Sequence, residues 1–236
     1  MKKNNKIILL VSISLLIIIL ASSLILCLGV IPSIKRKEQE KLVKQYYNSK
    51  IAMYEQENLQ YEDYEVDVAF LGDSLTDGYN LKEFYPQYLT ANRGISGDTT
   101  FGLEKRLKVS AYDLKPKVVV MLIGANNMNK MFDNYEDILI GLKENLPNTK
   151  VVLLSLTSMG EEWGKKNNLA AFNNVKIKML ASKYNFEFVD LYSPLLNKET
   201  NEIYSNYTTD GGHLTYEGYQ VLTNEITPTL YNLLGK

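Results

Sequence analysis

The sequence has little cysteine, histidine or tryptophan, with one of each among 236 residues, and almost no net charge. Its one cysteine, Cys27, excludes a disulfide bond within the chain. A single histidine and a single cysteine do not provide the several nitrogen and sulfur ligands that a zinc site usually needs. The formal net charge of −1 lacks the basic surplus that is typical of nucleic-acid-binding proteins. We therefore expect no metal, no cofactor and no nucleic-acid partner.

Charge is also missing from residues 7–31, which form a long apolar stretch. Its length of about 25 residues suffices for a helix that spans the membrane. The sequence thus predicts a short basic tail at 1–6 and a transmembrane anchor at 7–31. A cleaved signal peptide or a lipoprotein signal at Cys27 are the alternatives. Basic residues nearly balance across the span, and folded domains are exported regardless of their charge. We expect a single-pass cell-membrane protein whose catalytic domain is extracytoplasmic.

Two further regions follow the predicted anchor. Residues 32–65 are polar with apolar residues at helical spacing, which predicts a juxtamembrane helical linker. Its apolar stripe either packs on the following domain or belongs to a solvated stalk. From residue 66 to residue 236, short valine-rich runs alternate with amphipathic stretches, which predicts one α/β domain. The predicted strands are 66–71, 118–123, 151–156 and 186–191, and the predicted helices are 75–89, 99–110, 134–146, 167–184 and 215–233.

This alternation of strands and helices is typical of a three-layer α/β/α sandwich around a central parallel sheet. Functional residues of such a sheet lie beyond the carboxyl ends of its strands. Ser74 meets that condition, because it follows the first predicted strand within Gly72–Thr76. A hydroxyl at a strand-to-helix turn lies near helix amide groups that favour developing negative charge. Ser74 is therefore a candidate nucleophile, with an ordinary helix cap as the alternative.

The one histidine of the chain, His213, follows Asp210 by three residues. In a helical turn, residues at this spacing share a face. The carboxylate can then accept the proton on Nδ1 of the histidine, which leaves Nε2 to take a proton from a serine. The two glycines between them suit a loop that holds this pair. The alternative is an incidental Asp–His neighbour.

Two turns rich in glycine and asparagine contain candidate donors for an oxyanion. Gly94 lies in the turn Asn92–Gly97 and offers a backbone N–H, and Asn126 lies in Gly124–Asn127 and offers a side-chain amide. Acyl transfer needs such donors because negative charge develops on the carbonyl oxygen. Ordinary turns also use these residue types.

Taken together, these four blocks resemble those of the SGNH (GDSL) hydrolases in order and spacing, from Val66 to the C-terminus. The resemblance includes the subgroup of platelet-activating-factor acetylhydrolase-like esterases and bacterial carbohydrate acetylesterases. It implies a flavodoxin-like fold with Ser74 as nucleophile, His213 as base and Asp210 as the residue that orients His213.

The same resemblance implies an oxyanion hole formed by the Ser74 amide, Gly94 and Asn126. One position departs from the family pattern, because Asn127 stands where the third block usually has aspartate. That aspartate is not part of the triad in the family. We expect the exchange to loosen the loop that carries Asn126.

The implied reaction is hydrolysis of a carboxylic ester, with a short acyl or acetyl group on an envelope glycan or lipid. The alternatives are an inactive SGNH-fold module that binds envelope components, an acyltransferase to envelope sugars, and a metal phosphodiesterase that uses Asp73, Asp77 and Asp210. The oligomeric state is not predicted. Six aromatic residues are candidates for a glycan-binding cleft: Tyr79, Tyr85, Tyr88, Trp163, Tyr204 and Tyr207.

Overall fold

The computed structural model describes residues 7, 14–16, 18, 22, 23 and 26–235. The chain divides into two compact units, Met1–Ser49 and Lys50–Lys236. A π-helical turn, Leu26–Val30, lies in the first unit, and the long helix α1, Ile31–Asn58, begins there and ends in the second. The first-unit part of α1 is exposed almost throughout.

The predicted transmembrane helix over residues 7–31 is not confirmed. Within the described part of the chain, no helix combines the length and the apolar character needed to cross a membrane. The long helix α1 begins only at Ile31, and it carries charged residues from Lys35 onward. The fold prediction is therefore wrong on this point, although much of 7–31 and the basic tail 1–6 lie outside the described residues. The extracytoplasmic location of the domain stays a prediction.

A parallel sheet of five strands forms the centre of the second unit, in the order β2-β1-β3-β4-β5. β1 pairs with both β2 and β3, so that Gly72 lies opposite Gly94 on one side and Leu122 on the other. Every residue of β1 and β3 is buried, as expected for strands covered on both faces. The strands are β1 Val68–Gly72, β2 Thr90–Gly94, β3 Val118–Leu122, β4 Lys150–Leu154 and β5 Glu187–Val189.

Eight further helices and one small hairpin complete the described fold. The hairpin pairs β6, Leu196–Asn197, with β7, Glu202–Ile203, and was not predicted. The helices are α2 Ser74–Asp77, α3 Leu81–Phe84, α4 Thr100–Lys105, α5 Tyr135–Asn145, α6 Glu161–Gly164, α7 Asn167–Tyr184, α8 Tyr192–Leu195 and α9 Tyr216–Leu234. A π-helical turn at Lys108–Tyr112 and 3₁₀ turns at Ala125–Asn127, Met131–Asp133 and Ser205–Tyr207 lie between them.

Most of the predicted helices are confirmed, and α7 matches its predicted bounds. The predicted helix 75–89 is wrong, because two short helices, α2 and α3, occupy that region. The Gly78 N–H closes α2 by donating to the Ser74 carbonyl, and Tyr79 and Tyr85 then turn into the core. The predicted helix 99–110 likewise ends early, at Lys105, because the Arg106 side chain turns into the interior.

Two hydrophobic clusters cover opposite faces of the sheet. Alternate strand residues such as Leu71 and Met121 pack in one cluster with α4, α5 and α7. Their neighbours Phe70 and Val120 pack in the other cluster with α2, α3 and α9. The three-layer α/β/α arrangement is therefore confirmed for the second unit. The last turns of α1 belong to this unit as well, and Tyr54 is completely buried there.

Candidate active site

Ser74 lies at the carboxyl end of the central strand β1, where it begins helix α2. Asp73 caps that helix, because its carboxylate accepts the Leu75 N–H at 3.2 Å. The turn is tight: a Cβ at Gly72 would lie 2.1 Å from the Thr76 hydroxyl in α2 and 2.4 Å from the Leu122 carbonyl oxygen in β3. Glycine therefore allows the strand to pass directly into the helix, which places the Ser74 hydroxyl at the edge of the sheet.

The loop before α9 holds His213 through the Asp210 carboxylate and through its own carbonyl oxygen, which accepts the Thr209 N–H at 2.9 Å and the Thr208 hydroxyl at 2.7 Å. Oδ1 of Asp210 accepts the backbone N–H groups of Gly212 and His213 at 2.9 and 2.7 Å. Oδ2 of Asp210 lies 2.7 Å from Nδ1 of the His213 ring. Asp210 thus fixes both the backbone and the ring of the residue that it was predicted to orient.

The structure brings Ser74 and His213 together although 139 positions separate them, with Nε2 of His213 3.1 Å from the Ser74 hydroxyl oxygen. A carboxylate at Nδ1 favours the tautomer that carries its proton there. Nε2 is then an acceptor that faces the Ser74 hydroxyl. This is the arrangement in which a neutral imidazole can remove a proton from serine.

The two aspartates near this contact have opposite pKa shifts. The side-chain hydrogen bond with His213, followed by the two backbone N–H bonds, lowers the pKa of Asp210 to about 2. Burial raises the pKa of Asp73 to about 7, and the nearby Asp98 carboxylate adds to that rise. Asp210 is consequently ionised in neutral solution, whereas the pKa of Asp73 lies near neutral pH.

A small cleft of about 60 Å³ opens at Ser74 and His213. We call it the Ser74 cleft; its other lining residues are Asp73, Leu75, Ala125, Asn126, Thr157, Met159, Trp163 and Gly212. Asn126 is exposed, and its side-chain amide donates to the carbonyl oxygen of Asp98 at 2.8 Å. The predicted oxyanion donor Asn126 therefore lies beside the candidate nucleophile.

Gly94 is placed differently from Asn126. It does not belong to the lining of the Ser74 cleft, and its N–H donates to the side chain of Asn92 at 2.9 Å. A side chain at Gly94 would come within 2.1 Å of the Asp77 backbone nitrogen, so its lack of one lets β2 approach α2 closely. Gly97, three residues further on, is exposed and has a φ of +79°. Sequence reasoning gave Gly97 no role, and it too lies outside the residues that line the Ser74 cleft.

Asn127 is held more firmly than the sequence led us to expect. Its Oδ1 accepts the Thr100 N–H at 3.3 Å, and its Nδ2 donates to the Thr100 hydroxyl at 2.8 Å. The Thr100 hydroxyl in turn donates to Asn134 at 2.7 Å. Asn127 thus links this loop to the start of α4 through both the oxygen and the nitrogen of its side-chain amide.

The other candidates fall largely outside the cleft. Of the six aromatic residues, Trp163 lines it, whereas Tyr79, Tyr85 and Tyr88 are buried. Asp73, Asp77 and Asp210 have separate partners, and no cluster suited to a metal ion occurs in the described ranges.

Comparison with known proteins identifies the family. The GDSL-like lipase/acylhydrolase family matches residues 70–221, which contain the whole candidate site. The chain belongs to this family. As a GDSL-like acylhydrolase, it is a carboxylic ester hydrolase. A comparison with curated proteins gave no match.

Solved structures agree with the fold of this GDSL-like acylhydrolase. A Streptococcus pneumoniae protein, provisionally described as a platelet activating factor, is 26% identical with a TM-score of 0.77, over 84% of this chain and 99% of its own. A GDSL-like lipase from Bacteroides thetaiotaomicron is 26% identical with a TM-score of 0.66, over 77% and 97%. An acetylxylan esterase from Geobacillus stearothermophilus is 18% identical with a TM-score of 0.59, over 72% and 95%, and shares the fold.

Proposed function

We propose that the protein is a serine esterase that removes a short acyl group from a glycan or lipid ester through an acyl-enzyme on Ser74. The observation that carries this proposal is the hydrogen-bonded line from Ser74 through His213 to Asp210 at the Ser74 cleft. A nucleophile, a base and a group that orients the base are the parts that acyl transfer to serine requires.

In the first half of the reaction, Nε2 of His213 takes the Ser74 hydroxyl proton as the oxygen attacks the ester carbonyl. The carbon–oxygen bond to the alcohol then breaks, and the imidazolium gives its proton to the departing alcohol. In the second half, His213 takes a proton from water, which attacks the acyl-enzyme; the bond from the acyl carbon to the Ser74 oxygen breaks, the acid leaves, and the imidazolium returns its proton to Ser74. Asp210 stays ionised throughout and stabilises the imidazolium.

The oxyanion is proposed to bind the Ser74 N–H at the start of α2, the Asn126 amide and the Gly97 N–H. One proton of the Asn126 amide is used by Asp98, and a primary amide carries a second. Gly97 replaces Gly94 in this assignment, because the Gly94 N–H is bonded to Asn92. Gly97 also directly precedes Asp98, the residue that anchors Asn126.

A short acyl group fits the space beside the nucleophile. The Ser74 cleft has a volume of about 60 Å³, which is enough for a small group such as acetyl beside the nucleophile. The apolar side chains of Leu75 and Met159 line the cleft, as a methyl group requires.

Trp163 favours a sugar as the alcohol part of the ester. Its side chain lines the Ser74 cleft beside His213, which is the group that protonates the departing alcohol, and 42% of the residue surface is exposed. The Lys166 ammonium lies 4.5 Å from the centre of the indole ring, over one of its faces, and we propose that a sugar ring stacks against the other face.

The test is hydrolysis of p-nitrophenyl acetate, butyrate and octanoate, and of acetylated sugars, by the full-length protein. We expect acetate to react fastest, and Ser74→Ala to lower kcat by at least about 10³-fold. A fluorophosphonate reagent should label the parent protein at Ser74, as detected by mass spectrometry.

Ser182→Ala is the matched control, because Ser182 is exposed on α7 and outside the cleft. It should leave both activity and labelling unchanged. Activity of Ser74→Ala within tenfold of the parent would contradict the nucleophile assignment, and preference for octanoate would contradict the short-acyl assignment.

A further inference from the structure

A charged network joins the end of the nucleophile helix α2 to the turn Ile95–Asp98. Both the N–H and the hydroxyl of Ser96 donate to Oδ2 of Asp77, at 3.0 and 2.7 Å. Asp77 is the last residue of α2, the helix that Ser74 begins. One carboxylate oxygen therefore sets the distance between the nucleophile helix and this turn.

Lys50 of helix α1 binds the other oxygen of the same carboxylate. Its ammonium group donates to Oδ1 of Asp77 at 2.8 Å, and the two side chains are 16% and 10% exposed. An ion pair that is largely shielded from water depends on both partners, because removal of one leaves an uncompensated charge. Lys50 thus holds the Asp77 carboxylate in place.

Helix α1 also holds the end of β2, the strand that leads into this turn. The Tyr54 hydroxyl, which is completely buried, donates to the carbonyl oxygen of Gly94 at 2.5 Å. The Arg93 guanidinium lies 4.7 Å from the centre of the Tyr54 ring and forms an ion pair with Glu57. The last turns of α1 therefore hold β2 and the turn that follows it.

From these contacts we propose that Asp77 is a positioning residue for the turn Ile95–Asp98, and that Lys50 acts through Asp77. The proposal rests on the proposed function, in which Gly97 of this turn donates to the oxyanion. Ser96 and Gly97 are adjacent, so a shift of Ser96 moves the Gly97 N–H. Neither Asp77 nor Lys50 lines the Ser74 cleft.

The expected effect on kcat and KM follows from the step at which the oxyanion forms. Its donors act on charge that develops in the transition state, so misplacing one lowers kcat and leaves KM nearly unchanged. A displacement of about 1 Å in a catalytic group can cost about 10²-fold in rate. A variant that merely unfolds part of the protein would instead lower the active fraction and the Tm together.

The experiment measures kcat, KM and Tm of the full-length protein with p-nitrophenyl acetate. Asp77→Ala should lower kcat by about 10-fold or more, with KM within about 3-fold of the parent. Lys50→Met should have a smaller effect in the same direction. The double variant should match Asp77→Ala, because Lys50 acts through Asp77. Asp77→Asn retains an acceptor for Ser96 and should recover part of the loss.

Lys117→Met is the matched control. It breaks the 2.8 Å ion pair with the buried Asp67, which lies at the amino end of β1, away from the site. We expect a lower Tm with unchanged kcat. An equal loss of kcat in Lys117→Met and Asp77→Ala would overturn the proposal, as would multiplicative losses in the double variant.

A kcat of Asp77→Ala equal to that of the parent would also overturn the proposal, provided that the parent activity depends on Ser74. If parent activity survives Ser74→Ala, the proposed function itself fails. The two failures are therefore distinguishable in one set of assays.

Discussion

The two aspartates beside the Ser74–His213 contact lie in opposite surroundings. Asp73 is buried and accepts the Leu75 N–H, whereas Asp210 is exposed and binds two backbone N–H groups and the His213 ring. Burial raises the pKa of Asp73 to about 7, and hydrogen bonds lower the pKa of Asp210 to about 2. Nearness to the site therefore does not determine whether a carboxyl is charged. Its exposure to water and the hydrogen bonds that it accepts determine that.

This difference divides the site into two kinds of structure. The nucleophile side consists of a strand end and a capped helix packed in the interior, so its geometry depends on the whole fold. The base side is a surface loop in which one carboxylate binds two N–H groups and a ring nitrogen within four residues. Substitution of each aspartate by asparagine tests the comparison. The same chemical change should affect catalysis at Asp210 and stability at Asp73.

Asp210→Asn should have the largest effect, a decrease in kcat of about 10³–10⁴-fold. Asparagine can still accept the Gly212 and His213 N–H groups, so the loop should persist. Its amide cannot stabilise the imidazolium, however, and it favours the tautomer with the proton on Nε2. Steady-state kinetics with p-nitrophenyl acetate measures the loss.

Asp190→Asn is the control for Asp210→Asn, since Asp190 is also exposed and accepts the N–H groups of Tyr192 and Ser193. It should retain full activity. A loss below tenfold in Asp210→Asn would show that His213 does not depend on the carboxylate, and would remove Asp210 from the triad.

Asp73→Asn should change how stability depends on pH. The folded-state pKa of Asp73, about 7, lies above its ordinary value of 3.8, so the unfolded chain ionises first as pH rises. The free energy of unfolding of the parent should therefore fall between about pH 4 and pH 7. The neutral asparagine lacks this loss, which amounts to about 4 kcal/mol at most.

Urea unfolding of the parent and of Asp73→Asn at pH 4, 5.5 and 7 measures that difference. The variant should gain stability relative to the parent as pH rises across this window. A difference that stays constant with pH would mean that Asp73 is ionised in the folded protein, and the contrast with Asp210 would then fail.

Asn126→Ala should lower kcat by about 10²–10³-fold with little change in KM, because its amide is proposed to act on the oxyanion. Asn126 is exposed, and its one observed hydrogen bond is to the Asp98 carbonyl, so the Tm should change little. An unchanged kcat would leave the oxyanion to the backbone N–H groups of Ser74 and Gly97 alone.

The sequence predicted those parts of the site that local patterns encode. Ser74 follows a valine-rich strand, and Asp210 and His213 lie three residues apart, so a single turn places them. The sheet and most helices were also predictable, because strands buried on both faces appear as short apolar runs and helices have apolar residues at helical spacing. The predicted helix 75–89 was wrong because its apolar spacing serves two short helices that pack on the core.

Contacts between distant segments could not be predicted in the same way. Lys50 and Asp77 are 27 positions apart, and no local pattern pairs them. Gly94 and Gly97 are equally suited to a turn by composition. Only the pairing of Gly94 with Gly72 across β1 and β2 shows that Gly94 ends a strand, with Gly97 in the exposed turn beyond it.

Asn127→Asp should have the smallest effect, and it tests whether the departure from the family pattern matters. An aspartate could still accept the Thr100 N–H, but the bond now donated by Nδ2 of Asn127 would have to come from the Thr100 hydroxyl. That hydroxyl would then lose its bond to Asn134. The substitution therefore costs one hydrogen bond, so we expect kcat within about 3-fold of the parent and a Tm lower by a few degrees. Asn127→Ala removes both bonds to Thr100 and is the informative partner, with a lower Tm and a moderate loss of kcat. If Asn127→Ala abolishes activity while Asn126→Ala is silent, the oxyanion donor has been assigned to the wrong neighbour.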